Sequence, residues 1–366
     1  MKKILYFVQL PPPRHGVSVL NEIICESTVI NDDLCQNILP IRFTSNHQDL
    51  NKVNIKKLLS LFLLTIQLFW RLLSFRPNIV YFTITPSGIG FLRDLLFVSV
   101  LKIFRVKVIY HLHGVGIAKS ILKRPFLKCL YRFAFSNSTI IHLSEGLLQS
   151  EIVNNFPEFE QSSHALVNGV DSFIIDTPTK INSSYNILFL SNLKRSKGVF
   201  DLLRIFKVIH SEFPNAHLNI AGGSTSQQVD AEIETTVKSF GLIDNITFHG
   251  FVDGCEKQKL LSQADLFLHP THDDALPLVL LEAMKYGIPI IATDIGAISE
   301  IVQDNINGFV FARGDCSGMA SKSLEVLNSP KISAEISKNS TRLFNERYSL
   351  DIFQKKFKLI LKNTLK

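Results

Sequence analysis

Two acids enclose seven uncharged and mostly apolar residues in the segment DALPLVLLE, which runs from Asp274 to Glu282. The pattern predicts a largely buried helix that carries a carboxylate at Glu282. An unpaired charge in an apolar site costs several kcal/mol, enough to unfold a marginal domain. A polar partner must therefore meet Glu282, and the vicinal hydroxyls of a sugar would satisfy it without adding charge.

The start of this helix is a candidate anion site. Pro277 stands where the first residue of a helix is often proline, and Gly287 is expected to cap the far end. The amides of Leu278, Val279 and Leu280 would then have no acceptor within the helix. A helix N-terminus at the carboxyl edge of a sheet suits a phosphate group.

A simpler interpretation of the same residues needs no ligand. Asp273 and Asp274 could merely complement the helix dipole, and Glu282 could reach solvent. From these residues alone, both interpretations stay open.

A basic turn, SNLKRSKGV at 191–199, forms the second candidate site. It leaves a predicted strand and enters a predicted helix, which is where phosphate-binding turns lie in doubly wound folds. Lys194, Arg195 and Lys197, followed by Gly198, suit a diphosphate. The alternative is an ordinary basic surface loop.

The turn after the first strand, PPPRHGVSVLN at 11–21, supplies a third candidate. Arg14 offers a cation, His15 follows it, and Gly16 lets the backbone approach a ligand closely. The sequence contains neither G-x-G-x-x-G nor G-K-[ST], which disfavours dinucleotide oxidoreductases and P-loop enzymes.

The segment YHLHG at 110–114 ends a predicted central strand. His111 and His113 point to the same face of that strand, so zinc binding is one interpretation, but no third ligand has plausible spacing nearby. A histidine at the carboxyl edge of a strand is better placed to bind a substrate hydroxyl. A hydrogen-bonded core histidine remains the alternative for either residue, and no metal is expected.

Strand and helix patterns alternate along the whole chain, which predicts an α/β fold with parallel sheets covered on both faces. Strands are expected at 4–10, 78–85, 107–113, 138–144, 164–170, 186–192, 217–222, 246–250, 266–270, 288–293 and 308–312. Helices are expected between them, among others at 198–213, 227–240, 255–264, 277–286 and 351–364. A polar stretch at 171–185 separates two such series. We therefore expect two doubly wound domains with a ligand cleft at the carboxyl ends of their strands.

Composition agrees with this organisation. A chain of 366 residues is long for one core and comfortable for two. Its five cysteines are odd in number, widely spaced and without a C-x-x-C pair, which indicates a reducing compartment. The apolar run before Pro11 is too short for a signal peptide. The longest apolar stretch, 58–70, would span roughly 20 Å as a helix, less than the roughly 30 Å of a bilayer core, so no transmembrane span is predicted.

Charge is distributed unevenly along the chain. Residues 1–132 contain 18 Lys and Arg against 6 Asp and Glu, whereas residues 176–366 contain 21 of each kind. Either anionic lipid or nucleic acid would be attracted to the first part. Residues 52–76 place basic residues at both ends of an apolar helix that includes Trp70, as interfacial membrane helices do, although a buried core helix is equally compatible. No nucleic-acid motif is present, and binding to nucleic acid is not expected.

Taken together, these segments resemble the retaining GT-B glycosyltransferases of family 4. DALPLVLLEAM matches the family's acid–seven residues–acid motif position for position, and the similarity is densest from Asn186 to Phe311. The resemblance implies that Asp274 lies by the hydroxyls of the donor sugar. It also implies that the amides of Leu278 and Val279 bind the diphosphate and that Glu282 holds the ribose.

The other motifs carry further roles by the same resemblance. SNLKRSKG is similar to the family's G-R-L-x-x-x-K-G loop, so that Lys197 corresponds to the diphosphate lysine. His113 in HLHG corresponds to the active-site histidine, and Gly16 to the glycine-rich turn after the first strand. Phe251 ends FHGF, which is similar to the segment that passes the nucleobase.

The sequence departs from the family pattern at two places. Asp274 replaces the commoner glutamate, which is one methylene longer. Asn192 stands where the family has an arginine at the diphosphate. Lys194, Arg195 or Arg14 could compensate for that missing charge.

The resemblance implies a GT-B fold with an acceptor-binding domain at 1–175, a nucleotide-sugar-binding domain at 176–345 and a final helix, 346–366, that returns to the first domain. The expected activity is metal-independent, retaining transfer of a hexose from a nucleotide-diphosphate sugar to an acceptor hydroxyl. A lipid-linked saccharide in surface polysaccharide assembly, at the inner face of the plasma membrane, is the expected acceptor. The alternatives are a GT-B epimerase or hydrolase and a catalytically weak nucleotide-sugar-binding protein.

Overall fold

The computed structural model describes residues 1–12, 14, 16–42, 55–172 and 184–366, with the backbone alone for 55–57. Within these residues the chain divides into a first unit, residues 1–168 with 351–366, and a second unit, residues 169–350. His15, the expected domain boundary at 175/176 and most of the expected linker lie outside the described residues.

The first unit alternates strands and helices around one parallel sheet. Its strands are β1 (Lys2–Val8), β2 (Leu34–Pro40), β3 (Ile79–Phe82), β4 (Lys107–Leu112), β5 (Ser138–His142) and β6 (Ser163–Ala165). Its helices are α1 (Gly16–Glu26), α2 (Thr28–Asn31), α3 (Ile55–Phe75), α4 (Gly88–Ile103), α5 (Ile117–Lys123), α6 (Leu127–Phe135), α7 (Glu145–Leu148) and α15 (Leu350–Leu365), the last from Asp351 onward.

The strand order of this sheet is β2-β1-β3-β4-β5-β6, with every pair parallel. The order reverses between β1 and β3. At such a switch point the loops that follow the two strands diverge and leave a crevice at the carboxyl edge. Residues 11, 12 and 14, which follow β1, and the loop after β3 border that edge.

Helix α15 belongs to the first unit although it lies at the end of the chain. The ring of Phe357 meets Tyr81 of β3 edge to face at 5.3 Å between centroids. The Lys358 ammonium lies 2.5 Å from the Asp32 carboxylate. These contacts attach residues 351–366 to the first sheet.

The second unit repeats the pattern. Its strands are β7 (Asn186–Leu190), β8 (His217–Ala221), β9 (Ile246–Gly250), β10 (Leu266–His269), β11 (Ile290–Thr293) and β12 (Gly308–Phe311). Its helices are α8 (Val199–Glu212), α9 (Gln227–Phe240), α10 (Gly254–Gln263), α11 (Leu278–Lys285), α12 (Ile298–Ile301), α13 (Cys316–Asn328) and α14 (Pro330–Leu343).

The second sheet is also entirely parallel, in the order β12-β11-β10-β7-β8-β9. Residues 266–269 and 290–293 are buried at every position, as expected for strands covered by helices on both faces. The switch point here lies between β7 and β10. The loops after these two strands carry the basic turn and the acidic segment singled out in the sequence.

Two sequence expectations need correction. Strand β2 was not predicted, because LCQNILP is an edge strand with a mixed burial pattern rather than a continuous apolar run. The second correction concerns the estimate of a membrane span, which used only the thirteen residues 58–70. Helix α3 has 21 residues and lies within the 52–76 expected as one helix. By length and composition, Leu58–Phe75 is a helix that could cross a membrane, and 17% of that window is buried.

Candidate functional site

The basic turn and the acidic loop of the second unit are packed directly against each other. Residues 195–197 form one 3₁₀ turn after β7, and Gly198 follows with a left-handed φ of 77°. The His272 amide donates to the Ser196 carbonyl at 2.8 Å. A side-chain carbon at Gly198 would lie 1.7 Å from the carbonyl oxygen of Pro270. Only glycine therefore allows this approach.

Gly198→Ala is expected to lower the free energy of unfolding by about 3 kcal/mol or more, because a left-handed conformation costs an alanine about 1–2 kcal/mol and the backbone clash adds to it. Gly314→Ala is the matched control, since Gly314 has a φ of 83° but nothing within 4 Å of the added carbon. Urea unfolding of both variants measures the difference. Equal losses would show that the contact with Pro270 is unimportant.

This packing brings Lys197 to Asp274, two residues that are 77 positions apart. The Lys197 ammonium lies 2.7 Å from a carboxylate oxygen of Asp274 and donates to the Asp273 carbonyl at 2.6 Å. Burial alone would raise the pKa of Asp274, but the neighbouring His269 and Lys197 outweigh it and hold that pKa below its usual value. The carboxyl is thus an anion at neutral pH.

His269 is a residue of this site that the sequence analysis did not single out. It ends β10, is 1% exposed, and its Nε2 lies 3.7 Å from Asp274, beyond hydrogen-bond distance. Neither ring nitrogen has a hydrogen-bond partner among the described residues. Its position at the carboxyl end of a central strand was the available signal, as it was for the histidines of the first unit.

A chain of side chains behind the acidic loop was also not predicted. His272 Nε2 lies 2.6 Å from Asp201 at the start of α8, and Arg313 Nε donates to His272 Nδ1 at 2.9 Å. Arg204 donates to the other oxygen of Asp201 at 2.9 Å. Both nitrogens of His272 are therefore engaged, which fixes the loop against α8.

Helix α11 begins next to this pair. The amides of Leu278 and Val279 donate to no acceptor among the described residues, so they are available to an anion. Two details of the prediction are corrected. Pro277 precedes the helix, with an extended ψ of 116°, and its carbonyl accepts from the Leu280 amide at 3.1 Å. The first turn thus closes on Pro277 and leaves two amides instead of three.

Glu282 lies within α11 and is 16% exposed. One carboxylate oxygen accepts from the Lys257 ammonium of α10 at 2.6 Å, and the other is buried without a partner among the described residues. The polar group that meets Glu282 is therefore Lys257, which the sequence analysis did not identify. One oxygen is still free for a donor such as a hydroxyl.

The remaining candidates of the second unit are placed differently. Arg195 forms an ion pair with Glu232 and lies over the ring of Phe200 at 4.7 Å, so it is turned away from Asp274. Asn192 is exposed directly after β7, and Phe251 is 64% exposed after β9. The expected compensation by Arg195 for the uncharged Asn192 is thus not supported.

The first unit holds three predicted residues, Arg14, Gly16 and His113. Gly16 is the first residue of α1, and the guanidinium of Arg14 lies 3.6 Å from Glu22 on the same helix. His113 follows β4 and is partly buried. Its ring centroid is 4.0 Å from that of His111.

His111 and His142 form a buried pair of imidazoles beside His113. Tyr81 and Nδ1 of His111 share a hydrogen bond of 2.7 Å, and the pKa of His111 is well below 6.5 because of burial and the two neighbouring histidines. Burial lowers the pKa of His142 to about 4. Both rings are neutral at pH 7. Tyr81 satisfies Nδ1 of His111, whereas Nε2 of the same ring is buried without a hydrogen-bond partner among the described residues.

The folded chain is expected to lose stability as the pH falls from about 6.5 to about 4. Over that range His142 binds a proton in the unfolded chain but not in the folded one, because burial disfavours the charged ring. The contribution of the neutral ring to the free energy of unfolding, about 3 kcal/mol, is therefore complete above pH 6.5 and lost by pH 4. Urea unfolding of the wild type and His142→Asn across this range measures the effect. The variant should show the shallower slope, and parallel curves would contradict the assignment.

No group of three or more His, Cys, Asp or Glu residues in the described part of the chain is arranged to hold a metal ion. The positive charge at the second switch point comes from Lys197 and the two amides of α11. Such an arrangement can bind a diphosphate, while the free oxygen of Glu282 can accept from a hydroxyl.

Comparison with known proteins relates the second unit to a family of transferases. Residues 171–343 match the family model described as glycosyl transferases group 1, and this stretch lies inside the second unit. N-acetyl-alpha-D-glucosaminyl L-malate synthase of Bacillus anthracis is 24% identical over 271 residues, which cover 72% of this chain and 69% of that protein. The amylovoran biosynthesis glycosyltransferase AmsK of Erwinia amylovora is 21% identical over 226 residues, which cover 60% of this chain and 55% of that protein. In several other curated relatives the matched stretch spans 37–48% of the relative.

A solved structure covers the whole chain. The Anabaena protein HepE in complex with UDP and glucose aligns with 99% of this chain and 100% of its own, with a TM-score of 0.76 and 16% identity. At this identity the likeness establishes the fold, and the predicted GT-B class is confirmed.

Proposed function

We propose that this chain, whose residues 171–343 match the model of the group 1 glycosyltransferases, transfers a hexose from a nucleotide-diphosphate sugar to a hydroxyl of a lipid-linked saccharide, with retention at the anomeric carbon. The second unit would bind the donor, and the first unit the acceptor. The product would be an intermediate of surface polysaccharide assembly.

The observation that carries the donor assignment is the arrangement at the switch point of the second unit. Lys197 is held at 2.7 Å from Asp274, and the unpaired amides of Leu278 and Val279 begin the helix that follows the same loop. A diphosphate would find there one ammonium and two aligned N–H groups. Glu282, one turn further along α11, offers its free oxygen to the ribose.

These groups also suit the reaction. When the glycosidic bond breaks, negative charge grows on the leaving nucleoside diphosphate, and preorganised donors stabilise it most where water is excluded. Lys197 and the amides supply that stabilisation in the proposal without a metal ion. The HepE structures contain UDP and glucose, which supports a nucleotide sugar as the co-substrate.

Retention follows from the proposed course of the reaction on one face of the sugar. The leaving phosphate takes the proton of the acceptor hydroxyl while that hydroxyl attacks from the same side. Asp274 binds the sugar hydroxyls, and the resemblance of HLHG to the family motif assigns His113 a similar task. Each role is one of orientation rather than covalent catalysis.

Two facts support the choice of acceptor. AmsK is named for amylovoran biosynthesis, which supports polysaccharide assembly as the setting of the reaction. The excess of basic residues in 1–132 favours an anionic acceptor such as a lipid diphosphate at a membrane surface. The proposed location is therefore cytoplasmic, at the inner face of the plasma membrane.

The test measures nucleoside diphosphate release from UDP-, GDP- and ADP-hexoses, with and without a total lipid extract that contains lipid-linked saccharides. The proposal expects one donor to turn over and the extract to stimulate release, with the α-configuration of an α-linked donor retained in the product. Release that does not respond to any acceptor would indicate a hydrolase or epimerase. An inverted product would refute the retaining mechanism.

A second candidate is a nucleotide-sugar-binding protein with weak activity. The observation that favours it is the uncharged Asn192, for which Arg195 does not compensate because it pairs with Glu232. This candidate predicts tight nucleotide binding in calorimetry without diphosphate release. Asn192→Arg should then raise the release rate while changing nucleotide affinity less.

A further inference from the structure

Helix α3 presents an apolar stripe to solvent from Leu58 to Leu73. Eight apolar side chains between Leu58 and Leu73 are exposed, among them Phe62 (63%) and Trp70 (60%). At about 100° per residue, the eight cover an arc of about 140°. Eight neighbouring apolar side chains on one exposed helix face form an apolar patch of the kind that marks an interaction site.

The opposite side of the same helix is fixed in the first unit. Leu64, Leu68 and Leu72 are at most 6% exposed and belong to the core of that unit. A helix that crossed a bilayer would have to withdraw these side chains from the core. Helix α3 is therefore built to lie flat, with one face on the protein and the other outward.

Helix α4 continues the apolar surface. It packs beside α3, where the rings of Phe69 and Phe104 meet edge to face at 5.1 Å, and it exposes Ile89, Leu96 and Ile103. A pocket of about 310 Å³ opens between the helices, lined by Leu72, Leu73, Arg76, Pro77, Phe104 and Val106. One cation thus stands among apolar side chains at the edge of this surface.

The charge of the surrounding sequence selects the occupant. Residues 50–144 contain fourteen Lys and Arg and a single acid, Asp94. That acid is 1% exposed and paired with Arg93 at 2.7 Å, so it offsets Arg93 alone and leaves a large excess of positive charge. A second copy of the chain would bring the same positive charge against this face, whereas an anionic lipid surface complements it.

We infer that the exposed faces of α3 and α4 dock this protein on an anionic membrane, with α3 parallel to the surface and its apolar stripe, including Phe62 and Trp70, among the acyl chains. The exposed side chains of Arg71 and Arg76, at the end of α3, contact the lipid phosphates. This docking rests on the membrane location in the proposed function and names the surface responsible for it. Because vesicle binding is measured without donor or acceptor, its failure is distinguishable from a failure of the proposed transfer.

Trp70 is the only tryptophan of the chain, so its fluorescence reports on the stripe directly. The full chain is mixed with phosphatidylcholine vesicles that contain or lack phosphatidylglycerol, at low and high salt. We expect a blue shift and quenching by brominated acyl chains with anionic vesicles at low salt, and a much weaker effect at high salt. Unchanged emission with anionic vesicles at low salt would refute the docking.

Phe62→Ser should reduce the partition coefficient into anionic vesicles by about tenfold or more, since it removes one aromatic side chain from the inserted stripe. Ile243→Ser is the matched control, because Ile243 is 59% exposed but lies in the second unit. Equal losses in the two variants would overturn the assignment of the surface. Nucleoside diphosphate release from a soluble donor should be the same in both variants and the wild type.

Two other occupants give different results, and each would overturn the proposal. A second copy of the chain would shift the Trp70 emission with protein concentration alone and double the mass in light scattering. A spanning helix would leave the protein in the vesicle pellet after alkaline carbonate, which releases proteins that lie on the surface. If vesicle binding fails while donor turnover persists, only the docking is refuted.

Discussion

Lys197→Met is expected to lower kcat/KM for the nucleotide sugar by between about a hundredfold and a thousandfold, the range seen when one preorganised donor is removed from a site of developing negative charge. Methionine keeps the length and most of the volume of the side chain but removes its charge. The measurement is nucleoside diphosphate release with the preferred donor.

The same variant also leaves Asp274 without its partner at 2.7 Å, so two causes must be separated. Asp274→Asn breaks the ion pair while it keeps Lys197. If Lys197 binds the diphosphate, Lys197→Met weakens UDP or GDP binding and Asp274→Asn does not. Equal weakening by both variants would mean that the ion pair matters only for the shape of the loop.

Glu282→Ala is expected to raise the dissociation constant of the nucleotide between about tenfold and a hundredfold, as for the loss of a hydrogen bond to a charged group. The substitution removes the oxygen that is available to the ribose. It also strands the Lys257 ammonium, which is only 28% exposed, and should cost about 1–2 kcal/mol of stability. Calorimetry and urea unfolding measure the two effects separately.

The pair offers its own control through a double-mutant cycle. Lys257→Ala alone frees Glu282 and should leave nucleotide binding intact. The double variant should recover most of the stability lost by Glu282→Ala, yet bind the nucleotide as poorly. Recovery of binding in the double variant would show that Glu282 serves only to neutralise Lys257.

The sequence predicted the strands of both sheets best where both faces are buried. NILFL at β7 and LFLH at β10 are short and almost continuously apolar. Such runs are typical of parallel strands that helices cover on both faces. Strand β2 was not predicted because it is an edge strand with a mixed burial pattern, in which Cys35 and Gln36 are exposed and Leu39 is buried. Helix α3 lies within the expected residues 52–76, but its capacity to span a membrane was underestimated because only the apolar run at 58–70 was counted.

The parts of the candidate site that lie within one short motif were predictable from the sequence. These are the amides of Leu278 and Val279 and the carboxylate of Glu282. The site was not predictable where partners meet across the chain. Lys257 donates a hydrogen bond to Glu282, which is 25 positions further along the chain. Glu232, on a separate helix, forms an ion pair with Arg195. Charge and spacing predict that a buried or clustered ionic side chain needs a partner of opposite charge. The identity of that partner depends on how the helices pack, which the sequence pattern does not specify.

The contact of Gly198 with Pro270 has a consequence for altering donor choice. The backbone of Gly198 packs against the Pro270 carbonyl with no room for a side chain, so the loops after β7 and β10 are expected to move together. A change in the length of either loop would displace both. Attempts to redirect the protein to another nucleotide sugar must therefore exchange residues 194–198 and 270–274 as a set.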